Sequence, residues 1–475
     1  MASFYVENFG CRATQADGAA IERQFREHGL GRASEPRTAN LIVLNTCAVT
    51  AAAEQDARAA IRRIRRQNPT CEVIVTGCYA QRAPAEVAAL PGVSRVVGNS
   101  HKHNLAQIAL QTKSEKDSCE SGSFIPLSNL CAEKTTEESI FVSDIFAHTE
   151  LLAAPVFDSA NERTRPNLKV QDGCNNRCSF CIIPSVRGRS RSLRLDEVLR
   201  EVNHLVEAGY REVVISGINL GRWGRDLRSE PNERPPKFED LITSILDRTS
   251  LAKLRISSVE PMDWSDSLIR LMAESPRIAK HAHVPMQSGS DTVLRRMHRK
   301  YRPRHYREKI EHIRAAMPTA AIGADVMVGF PVETESEFEE TRRMIEDLPF
   351  TYLHVFTFSA RPGTPAASMP NQVPVRVARE RNRILRELAA GKKRAFMRSF
   401  IGQKVDAITL NMLTESCDGV WTEALTDNYL KLRLAGRHEP NRWLHASVDA
   451  AEDGQLLGSL DTHVDRQDAM LCDHR

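Results

Sequence analysis

The hydrophobic pattern of the first hundred residues alternates short apolar runs with longer amphipathic stretches. Apolar runs at 3–6, 41–44 and 72–75 predict strands, and the segments 14–28 and 52–67 have the apolar spacing of helices. Buried strands that are separated by helices indicate a parallel sheet covered on both faces. We therefore expect an open α/β domain over residues 1–110.

A second series of strands and helices begins near residue 166. Amphipathic segments such as 196–208 and 335–346 separate its apolar runs. The six candidate strands are 167–170, 213–216, 254–257, 281–284, 322–328 and 352–358. Six such units are too few for a closed eight-fold barrel, so we predict a partial (β/α)6 barrel over 166–397.

Two further stretches differ in character from these α/β series. Residues 111–165 are rich in Ser, Glu, Lys and Thr without a sustained period, which predicts a linker or insertion. After a basic helix that reaches Phe400, short alternating runs predict a small all-β domain over 398–463 and a tail over 464–475. The expected fold class is therefore α/β with a C-terminal β domain.

Composition narrows the class of protein. Among 475 residues, 41% are hydrophobic and 27% charged, and no apolar run reaches the roughly 18 residues that a membrane helix needs. The first residues lack the pattern of a signal peptide, so we expect a cytoplasmic protein without a membrane partner. In that reducing compartment, eleven cysteines favour metal or redox use over disulfides.

Cys174, Cys178 and Cys181 form a C-x3-C-x2-C loop directly after the first strand of the predicted barrel. Three thiolates on one loop suit an iron–sulfur cluster and leave one iron of a four-iron cube without a protein ligand. A structural zinc site is the alternative, but it requires a fourth ligand that is absent nearby in sequence. We expect a cluster with an open iron at the mouth of the barrel.

Three more cysteines, Cys11, Cys47 and Cys78, each come shortly after one of the first three strands. The carboxyl ends of parallel strands share one edge of a sheet, where ligand sites form. A single cysteine there is easily explained as a small buried residue. Three at corresponding positions predict a second metal site.

The cysteine motifs resemble those of the radical S-adenosylmethionine (SAM) methylthiotransferases. The resemblance extends over nearly the whole chain and includes a C-terminal domain of the TRAM type. Its motifs are Phe9-Gly10-Cys11-Arg12, Asn45-Thr46-Cys47, Gly77-Cys78-Tyr79-Ala80-Gln81, and Gly173-Cys174 through Pro184 followed by Arg187-Gly188. Two cysteine triplets in this order make the resemblance specific.

The resemblance implies two [4Fe-4S] clusters and SAM as both methyl donor and radical source. The cluster on Cys174, Cys178 and Cys181 would bind and cleave SAM to a radical that removes an inert hydrogen. The cluster on Cys11, Cys47 and Cys78 would hold the sulfur that is methylated and delivered. An electron donor such as a flavodoxin or ferredoxin would be required.

Several strand ends fit a cofactor pocket by position. Ser216, Gly217 and Asn219 end the second barrel strand, where this superfamily approaches the amino group of SAM; an ordinary turn is equally consistent with them. Glu260 follows the third strand and either faces the barrel mouth or is solvated. Gln287 follows the fourth strand, and we predict that it contacts the cofactor.

Basic residues cluster in four places, which the resemblance relates to the anticodon stem-loop of tRNA. The groups are Arg62-Arg63-Ile64-Arg65-Arg66; Arg187, Arg189, Arg191 and Arg194; Arg295 through Arg307; and Lys392-Lys393-Arg394 with Arg398. One such run usually marks only a solvated face, whereas several beside a small β domain favour contact with a phosphate backbone.

The family divides by substrate, and the motifs point mainly to threonylcarbamoyl-adenosine at position 37 of tRNA. Val170-Gln171-Asp172-Gly173-Cys174 and Thr426-Asp427-Asn428-Tyr429-Leu430 are among the segments that resemble this branch. Cys178 through Ser185 lean toward the branch that modifies an aspartate of a ribosomal protein. Isopentenyl-adenosine in tRNA is a further alternative, and a non-catalytic, metal-stabilised RNA-binding protein is the rival of another class.

Two positions depart from the family pattern. Thr14 stands where Asn usually follows the first cysteine, which leaves any role of that Asn unfilled. Val332 replaces a Gly in the turn Gly329-Phe330-Pro331-Val332-Glu333. If this turn requires a positive φ, a β-branched residue fits it poorly, and we expect a local difference in the loop.

Overall fold

A computed structural model describes residues 2–110, 139–148, 151, 164–227, 234–416 and 419–460. Most of the predicted linker and the whole predicted tail lie outside these residues. The described residues belong to two compact units, the first within Met1–Val156, Leu168–Leu193 and Ser359–Ala367, and the second formed by the rest. A search of the described helices finds none with the length and apolarity required to cross a bilayer.

The first unit contains a fully parallel six-stranded sheet in the order β2-β1-β3-β4-β5-β6. Its strands are β1 (Ser3–Asn8), β2 (Gly31–Arg32), β3 (Leu41–Thr46), β4 (Glu72–Gly77), β5 (Arg95–Val97) and β6 (Ile140–Phe141). The predicted strands and their parallel arrangement are confirmed. Sequence analysis missed β2, β5 and β6, which are two or three residues long and too short for a periodic signal.

Helices cover this sheet as the apolar spacing predicts. Among the described residues these helices include α1 (Arg12–Glu27), α2 (Ala51–Gln67), α3 (Cys78–Arg82) and α4 (Pro84–Ala88), and residues 105–110 are helical as well. All six residues of β3 are buried, because one apolar cluster packs on each face of the sheet. Ile42 and Leu44 belong to one cluster, whereas Leu41 and Val43 belong to the other, as expected for side chains that alternate along a strand.

The cysteine loop of the first unit lies between β7 (Asn167–Asp172) and β8 (Arg191–Ser192). These strands pair antiparallel through Gln171 with Ser192 and Asp172 with Arg191. A short helix, α5 (Ile183–Arg187), follows the last cysteine of the loop. The antiparallel pair brings the residues before and after the loop together.

The second unit contains the remaining strands of the predicted barrel. They are β9 (Glu212–Gly217), β10 (Lys253–Ile256), β11 (His281–His283), β12 (Ala321–Val328) and β13 (Tyr352–Thr357). β9 pairs with β10, β11 with β12 and β12 with β13, all in parallel. Isolated parallel bridges from Leu254 to Ile278 and from Ser258 to His283 connect the segments of β10 and β11. The helices are α6 (Leu195–Glu207), α7 (Phe238–Arg248), α8 (Asp266–Glu274), α9 (Asp291–Arg296), α10 (Pro303–Ala316) and α11 (Glu335–Asp347).

The C-terminal part of the second unit is a closed five-stranded barrel in the order β14-β15-β16-β18-β17. A 24-residue helix, α12 (Val375–Arg398), leads into it. The strands are β14 (Lys404–Ser416), β15 (Gly419–Thr426), β16 (Lys431–Ala435), β17 (Trp443–Glu452) and β18 (Gln455–Leu460). The expected small all-β domain is confirmed, and closure removes the exposed sheet edges that would otherwise pair with other chains.

Val332 adopts the left-handed backbone conformation that the sequence argument questioned, with φ of 65°. Its amide donates to the Asn371 carbonyl at 3.0 Å, and the Glu333 carboxylate accepts from the Gly329 amide at 2.7 Å. These hydrogen bonds hold a glycine-type turn around a β-branched residue, which carries an unfavourable backbone conformation.

We expect Val332→Gly to be more stable than Val332→Ala by about 1 kcal/mol, since both remove the two γ-methyl groups and only Ala keeps a Cβ in the left-handed region. At Val375, an exposed residue in the first turn of α12, the order should reverse. Denaturant unfolding monitored by tryptophan fluorescence reports on the second unit, since Trp223, Trp264, Trp421 and Trp443 all lie there. If the Gly variant were more stable than the Ala variant at both Val332 and Val375, or less stable at both, strain at Val332 would be contradicted.

Candidate functional site

Cys11, Cys47 and Cys78 lie at the carboxyl ends of three adjacent strands of the first unit. β3 lies between β1 and β4, and its register pairs Asn45 with Asn8 and Thr46 with Gly77. Cys47 and Cys78 directly follow these strands, and Cys11 precedes the first turn of α1. The expectation that the three residues converge on one edge of the sheet is therefore met by the topology.

The backbone around Cys47 leaves room for its sulfur through glycine. A Cβ on Gly10, whose φ is 102°, would lie 2.9 Å from Cys47 Sγ, closer than atoms of this kind approach. Polar groups also surround the sulfurs: the Val49 amide donates to Cys47 Sγ at 3.5 Å, and Asn99 Nδ2 donates to Cys78 Sγ at 3.6 Å. Donors aimed at sulfur are the environment in which a ligating thiolate is stabilised.

The pKa of Cys47 is raised to about 12. Burial is the largest cause, and the charge of Cys78 is the next. Cys11 contributes to the same shift. Like charges act on one another in this way only when the groups are close. A bound metal would supply the positive charge needed to hold the three sulfurs as thiolates, at the cost of releasing the Cys47 proton.

The loop that carries Cys174, Cys178 and Cys181 is held at both ends. The Cys174 amide donates to the Gly188 carbonyl at 3.1 Å, and the Cys181 amide donates to the Cys178 carbonyl at 3.1 Å. Gly173 has φ of 70°, and a Cβ on it would lie 2.0 Å from the Arg189 carbonyl oxygen. The glycine before the first cysteine is therefore required for the close approach of the two ends of the loop.

The number of thiols at each site favours a cluster over a structural zinc ion, which normally takes four protein ligands. Around zinc, bonds of 2.3 Å place tetrahedral sulfur ligands about 3.8 Å apart, whereas thiolates on different irons of a cube lie farther from one another. Within the described part of the chain, His283, Asp325 and His354 form the one group whose ligand atoms all lie within 4.8 Å of one another.

Cys71 is the remaining cysteine among the described residues, and it has a structural position. It precedes β4 and therefore lies at the opposite edge of the sheet from Cys78. Its buried thiol donates to the Asn68 carbonyl at 3.1 Å. Cys71 is not a candidate ligand and offers a control for substitution of the other six.

Thr14, the departure from the family pattern, is buried beside the N-terminal triplet. Its hydroxyl lies 3.6 Å from Cys11 Sγ, and its carbonyl accepts from Asn45 Nδ2 at 2.7 Å. Asn45 Nδ2 also donates to Asn8 Oδ1 at 3.0 Å. Two asparagines thus lie at this strand edge although position 14 is Thr.

A buried ion network connects the two regions that carry the cysteines. The Asp17 carboxylate accepts from Lys102 Nζ at 3.0 Å, from Lys169 Nζ, and from Arg187 Nη2 at 3.0 Å. Asp172, next to the cysteine loop, accepts from Lys169 Nζ at 2.8 Å and from Arg187 Nη1 at 3.0 Å. The network joins α1 to β7 and α5, and sequence analysis missed it because its members are far apart along the chain.

Burial alone raises the pKa of Asp17, but Arg187, Lys102 and Lys169 outweigh it and hold the pKa well below its usual value. The pKa of Asp172 is lowered likewise, because Arg187 and then Lys169 outweigh burial. Both carboxylates are therefore charged in the folded protein and require their cationic partners.

The predicted cofactor residues lie in the second unit, at or just after strand ends. Ser216 and Gly217 end β9, and the buried Ser216 hydroxyl has no hydrogen-bond partner among the described residues. Asn219 is buried just beyond the strand. An orphaned buried hydroxyl at the carboxyl end of a barrel strand is consistent with a missing ligand.

Gln287 has φ of 62°, which is uncommon for a residue other than glycine. Its amide donates to the Asp325 carbonyl at 2.8 Å, and its carbonyl accepts from the Met327 amide at 2.8 Å. Such pinned, unfavourable conformations cluster at functional sites. Glu260, by contrast, is paired with Arg299, so the expectation of a simply solvated carboxylate is not met.

His283, Asp325 and His354 form a compact group on β11, β12 and β13 that sequence analysis missed. His283 Nε2 lies 3.4 Å from Asp325 Oδ1, and the register places His354 directly opposite Asp325. Two imidazoles and a carboxylate in this arrangement can hold a proton or a divalent cation. The sequence could have revealed this group, because each of its members lies within one of three neighbouring strands.

The densest basic run is largely neutralised by acidic partners within the second unit. Arg299 pairs with Glu260, and five other arginines of the run also form ion pairs. These pairs are Arg295 and Arg302 with Asp291, Arg296 with Glu337, Arg304 with Glu308, and Arg307 with Asp347. This run is weaker evidence for an RNA surface than its sequence indicated.

Comparison with known proteins identifies relatives over almost the full length. Residues 168–345 match the radical SAM superfamily, and residues 3–98 match uncharacterized protein family UPF0004. The chain is 36% identical over 440 residues to the threonylcarbamoyladenosine tRNA methylthiotransferase MtaB of Bacillus subtilis, covering 92% of each chain. It is 32% identical to the tRNA-2-methylthio-N(6)-dimethylallyladenosine synthase of Thermobifida fusca, covering 94% of this chain and 83% of the relative.

A solved structure supports the fold. The radical S-adenosylmethionine methyltransferase TsrM of Kitasatospora setae matches with a TM-score of 0.54, covering 77% of this chain and 75% of the other. At 15% identity the likeness concerns the fold alone. It confirms the α/β class that the alternating pattern predicted.

The ion network predicts acid sensitivity of the first unit. Because the folded-state pKa of Asp17 lies below the unfolded value of about 3.9, its contribution to stability is complete above that value and is lost as the pH falls toward the folded pKa. Asp17→Asn should therefore lower the stability of β7 at pH 7. The difference in stability between this variant and the wild type should shrink as the pH falls toward 3. Hydrogen exchange of β7 in the metal-free full chain, corrected for intrinsic rates, measures this.

The matched control is Glu380→Gln. Arg383 also lowers the pKa of Glu380, but this carboxylate is exposed on α12, so its loss should leave the exchange of β7 unchanged at every pH. A difference between Asp17→Asn and wild type that stays constant from pH 7 to pH 3 would contradict the assignment.

Proposed function

Because the chain belongs to the radical SAM tRNA methylthiotransferase family, we propose that it methylthiolates C2 of N6-threonylcarbamoyladenosine at position 37 of tRNA. The observation that carries the proposal is the match to the Bacillus subtilis relative over 92% of both chains, which is named for this nucleoside. The Rickettsia prowazekii relative, 36% identical over 90% of both chains, has the same name.

The proposal assigns one [4Fe-4S] cluster to each cysteine triplet. Cys174, Cys178 and Cys181 would hold the cluster that binds SAM, and Cys11, Cys47 and Cys78 would hold the cluster that carries the sulfur. When bound, the first supplies the electron that cleaves SAM, and the second presents sulfur at an iron without a protein ligand. Three thiols per site, one fewer than a structural zinc site normally takes, support this assignment.

The residues of the chain would position these groups and the cofactor. Amide donors to Cys47 and Cys174, at 3.5 and 3.4 Å from the sulfurs, stabilise thiolate charge. In the second unit, the unpartnered Ser216 hydroxyl and the pinned Gln287 are the best supported contacts to SAM, with Gly217, Asn219 and Glu260 as further candidates. The role of Glu260 would be exerted together with Arg299.

Dimethylallyl-adenosine in tRNA is the second candidate substrate. The Thermobifida fusca relative named for that product is 32% identical over 94% of this chain. Sequence similarity therefore separates the two candidate nucleosides only modestly. An aspartate of a ribosomal protein is a third candidate, suggested by the segment from Cys178 to Ser185. A flavodoxin or ferredoxin as electron donor and a cytoplasmic location remain predictions.

Anaerobic reconstitution should load about eight irons per chain in the wild type, four for each cube. Replacing Cys11, Cys47 and Cys78 by Ala should leave about four, and so should replacing Cys174, Cys178 and Cys181. Only the second triple variant should lose reductive cleavage of SAM. Iron analysis and electron paramagnetic resonance measure the clusters.

Cys71→Ala is the matched control for these substitutions. Because Cys71 lies at the other sheet edge and donates to a carbonyl, the variant should keep about eight irons. Full iron loading after removal of either triplet, or zinc in place of iron after anaerobic purification, would contradict the assignment of two clusters.

Deleting the gene should abolish 2-methylthio-N6-threonylcarbamoyladenosine in tRNA and leave the unmodified N6-threonylcarbamoyladenosine in its place. The wild-type gene and the Cys71→Ala variant should restore it, whereas variants lacking either triplet should not. Mass spectrometry of tRNA nucleosides measures both products. Loss of the methylthio group from isopentenyl-adenosine instead, or from a ribosomal-protein aspartate with unchanged tRNA, would select one of the other substrates.

A further inference from the structure

The buried ion network of the first unit has a feature that structural stabilisation leaves unexplained. Arg187 is 2% exposed, and its two terminal nitrogens donate to Asp17 and Asp172. Its Nε–H, which is also buried, has no hydrogen-bond partner among the described residues. An unsatisfied donor on a buried cation indicates a site for negative charge.

The network also has unbalanced charge. Its two carboxylates face three cationic side chains, which leaves one positive charge in excess within the protein interior. Lys102 additionally donates to Asn45 Oδ1 at 3.2 Å, a neutral group beside Cys47 in sequence. Isolated buried charge is costly, and buried ion pairs are often no more stabilising than apolar residues of the same size.

Contacts place the backbone next to Arg187 close to one of the N-terminal cysteines. Asn99 Nδ2 donates both to Cys78 Sγ, at 3.6 Å, and to the carbonyl of Val186, at 2.7 Å, so the residue before Arg187 is one side chain away from a predicted ligand. Cys78, Tyr79, Ile182 and Val186 also share one apolar cluster.

The electrostatics agree with these contacts. Burial lowers the pKa of Arg187, but Asp17 and Asp172, followed by Cys78 and Cys11, raise it well above its usual value. Burial lowers the pKa of Lys102 and outweighs Asp17 and then Cys78, the groups that raise it most. Two cations of the network therefore interact with the same thiol, although they lie far apart along the chain.

We propose that Arg187, with Lys102, is a positioning residue that keeps one unit of positive charge beside Cys11 and Cys78 and thereby sets the reduction potential of the cluster bound there. This inference rests on the proposed function, because it requires a cluster on the N-terminal triplet. Nearby positive charge stabilises the reduced, more negative state of a cluster and therefore raises its potential. Asp17 and Asp172 limit this charge and hold the guanidinium in place.

The competing explanation is that the network only holds β7 and α5 against α1. A structural role predicts that substitutions reduce stability or cluster occupancy whatever the sign of the charge they remove. An electrostatic role predicts shifts of opposite sign when a cation and an anion are removed. The potential of a cluster that is fully assembled distinguishes the two.

The test uses the full-length chain with Cys174, Cys178 and Cys181 replaced by Ala, so that only the N-terminal cluster is present. Its midpoint potential is measured by redox titration monitored by electron paramagnetic resonance. Arg187→Gln should shift the potential to a more negative value, and Asp17→Asn should shift it to a more positive value. Arg187→Lys, which keeps the charge but lacks the fork of donors, should shift it less than Arg187→Gln.

Lys102→Met provides a second removal of positive charge if Arg187→Gln does not fold, and it should also lower the potential. Shifts of the same sign for removal of a cation and of an anion, or unchanged potentials in variants with full iron content, would overturn the inference. Absence of iron from the parent chain with the three Ala substitutions would instead count against a cluster on Cys11, Cys47 and Cys78. The two failures are therefore distinguishable.

Discussion

The buried contact of Asp17 with Lys102, Lys169 and Arg187 is the interaction on which the arrangement of the first unit depends. It links a helix that begins beside Cys11 to the strand and helix that border the loop of Cys174. Without cations, the Asp17 carboxylate would be an uncompensated charge in the interior, which is strongly destabilising. The geometry of both cysteine regions is therefore coupled through one side chain.

Parallel strand order supplies the second constraint. Because β3 pairs with β1 on one side and β4 on the other, residues that follow these strands share one edge of the sheet. Cys47 and Cys78 reach that edge without any special loop, and Gly10 allows the Cys11 segment to approach Cys47 closely. Three cysteines thus lie at one sheet edge, where N–H donors reach the sulfurs of Cys47 and Cys78, an environment that suits an iron–sulfur cluster.

The charges of the chain have different roles in different places. Arginines of the run from Arg295 to Arg307 pair with acidic neighbours and so present little net charge. By contrast, the three cations of the buried ion network in the first unit outnumber its two carboxylates. In a low-dielectric interior a single excess charge affects a neighbouring group more strongly than several screened charges at the surface.

Sequence alone was sufficient to predict the longer helices and strands and to propose the six cysteines as ligands, because apolar periodicity and C-x3-C-x2-C spacing are properties of short segments. At Val332 it gave only a conditional expectation of a local difference in the loop, whereas the structure keeps a glycine-type turn with φ of 65°. The partnership of Asp17 with Arg187, 170 positions later, could not be read in this way, because no local pattern records which buried charges meet. Only packing of the folded chain brings such residues together, and it also revealed the group formed by His283, Asp325 and His354.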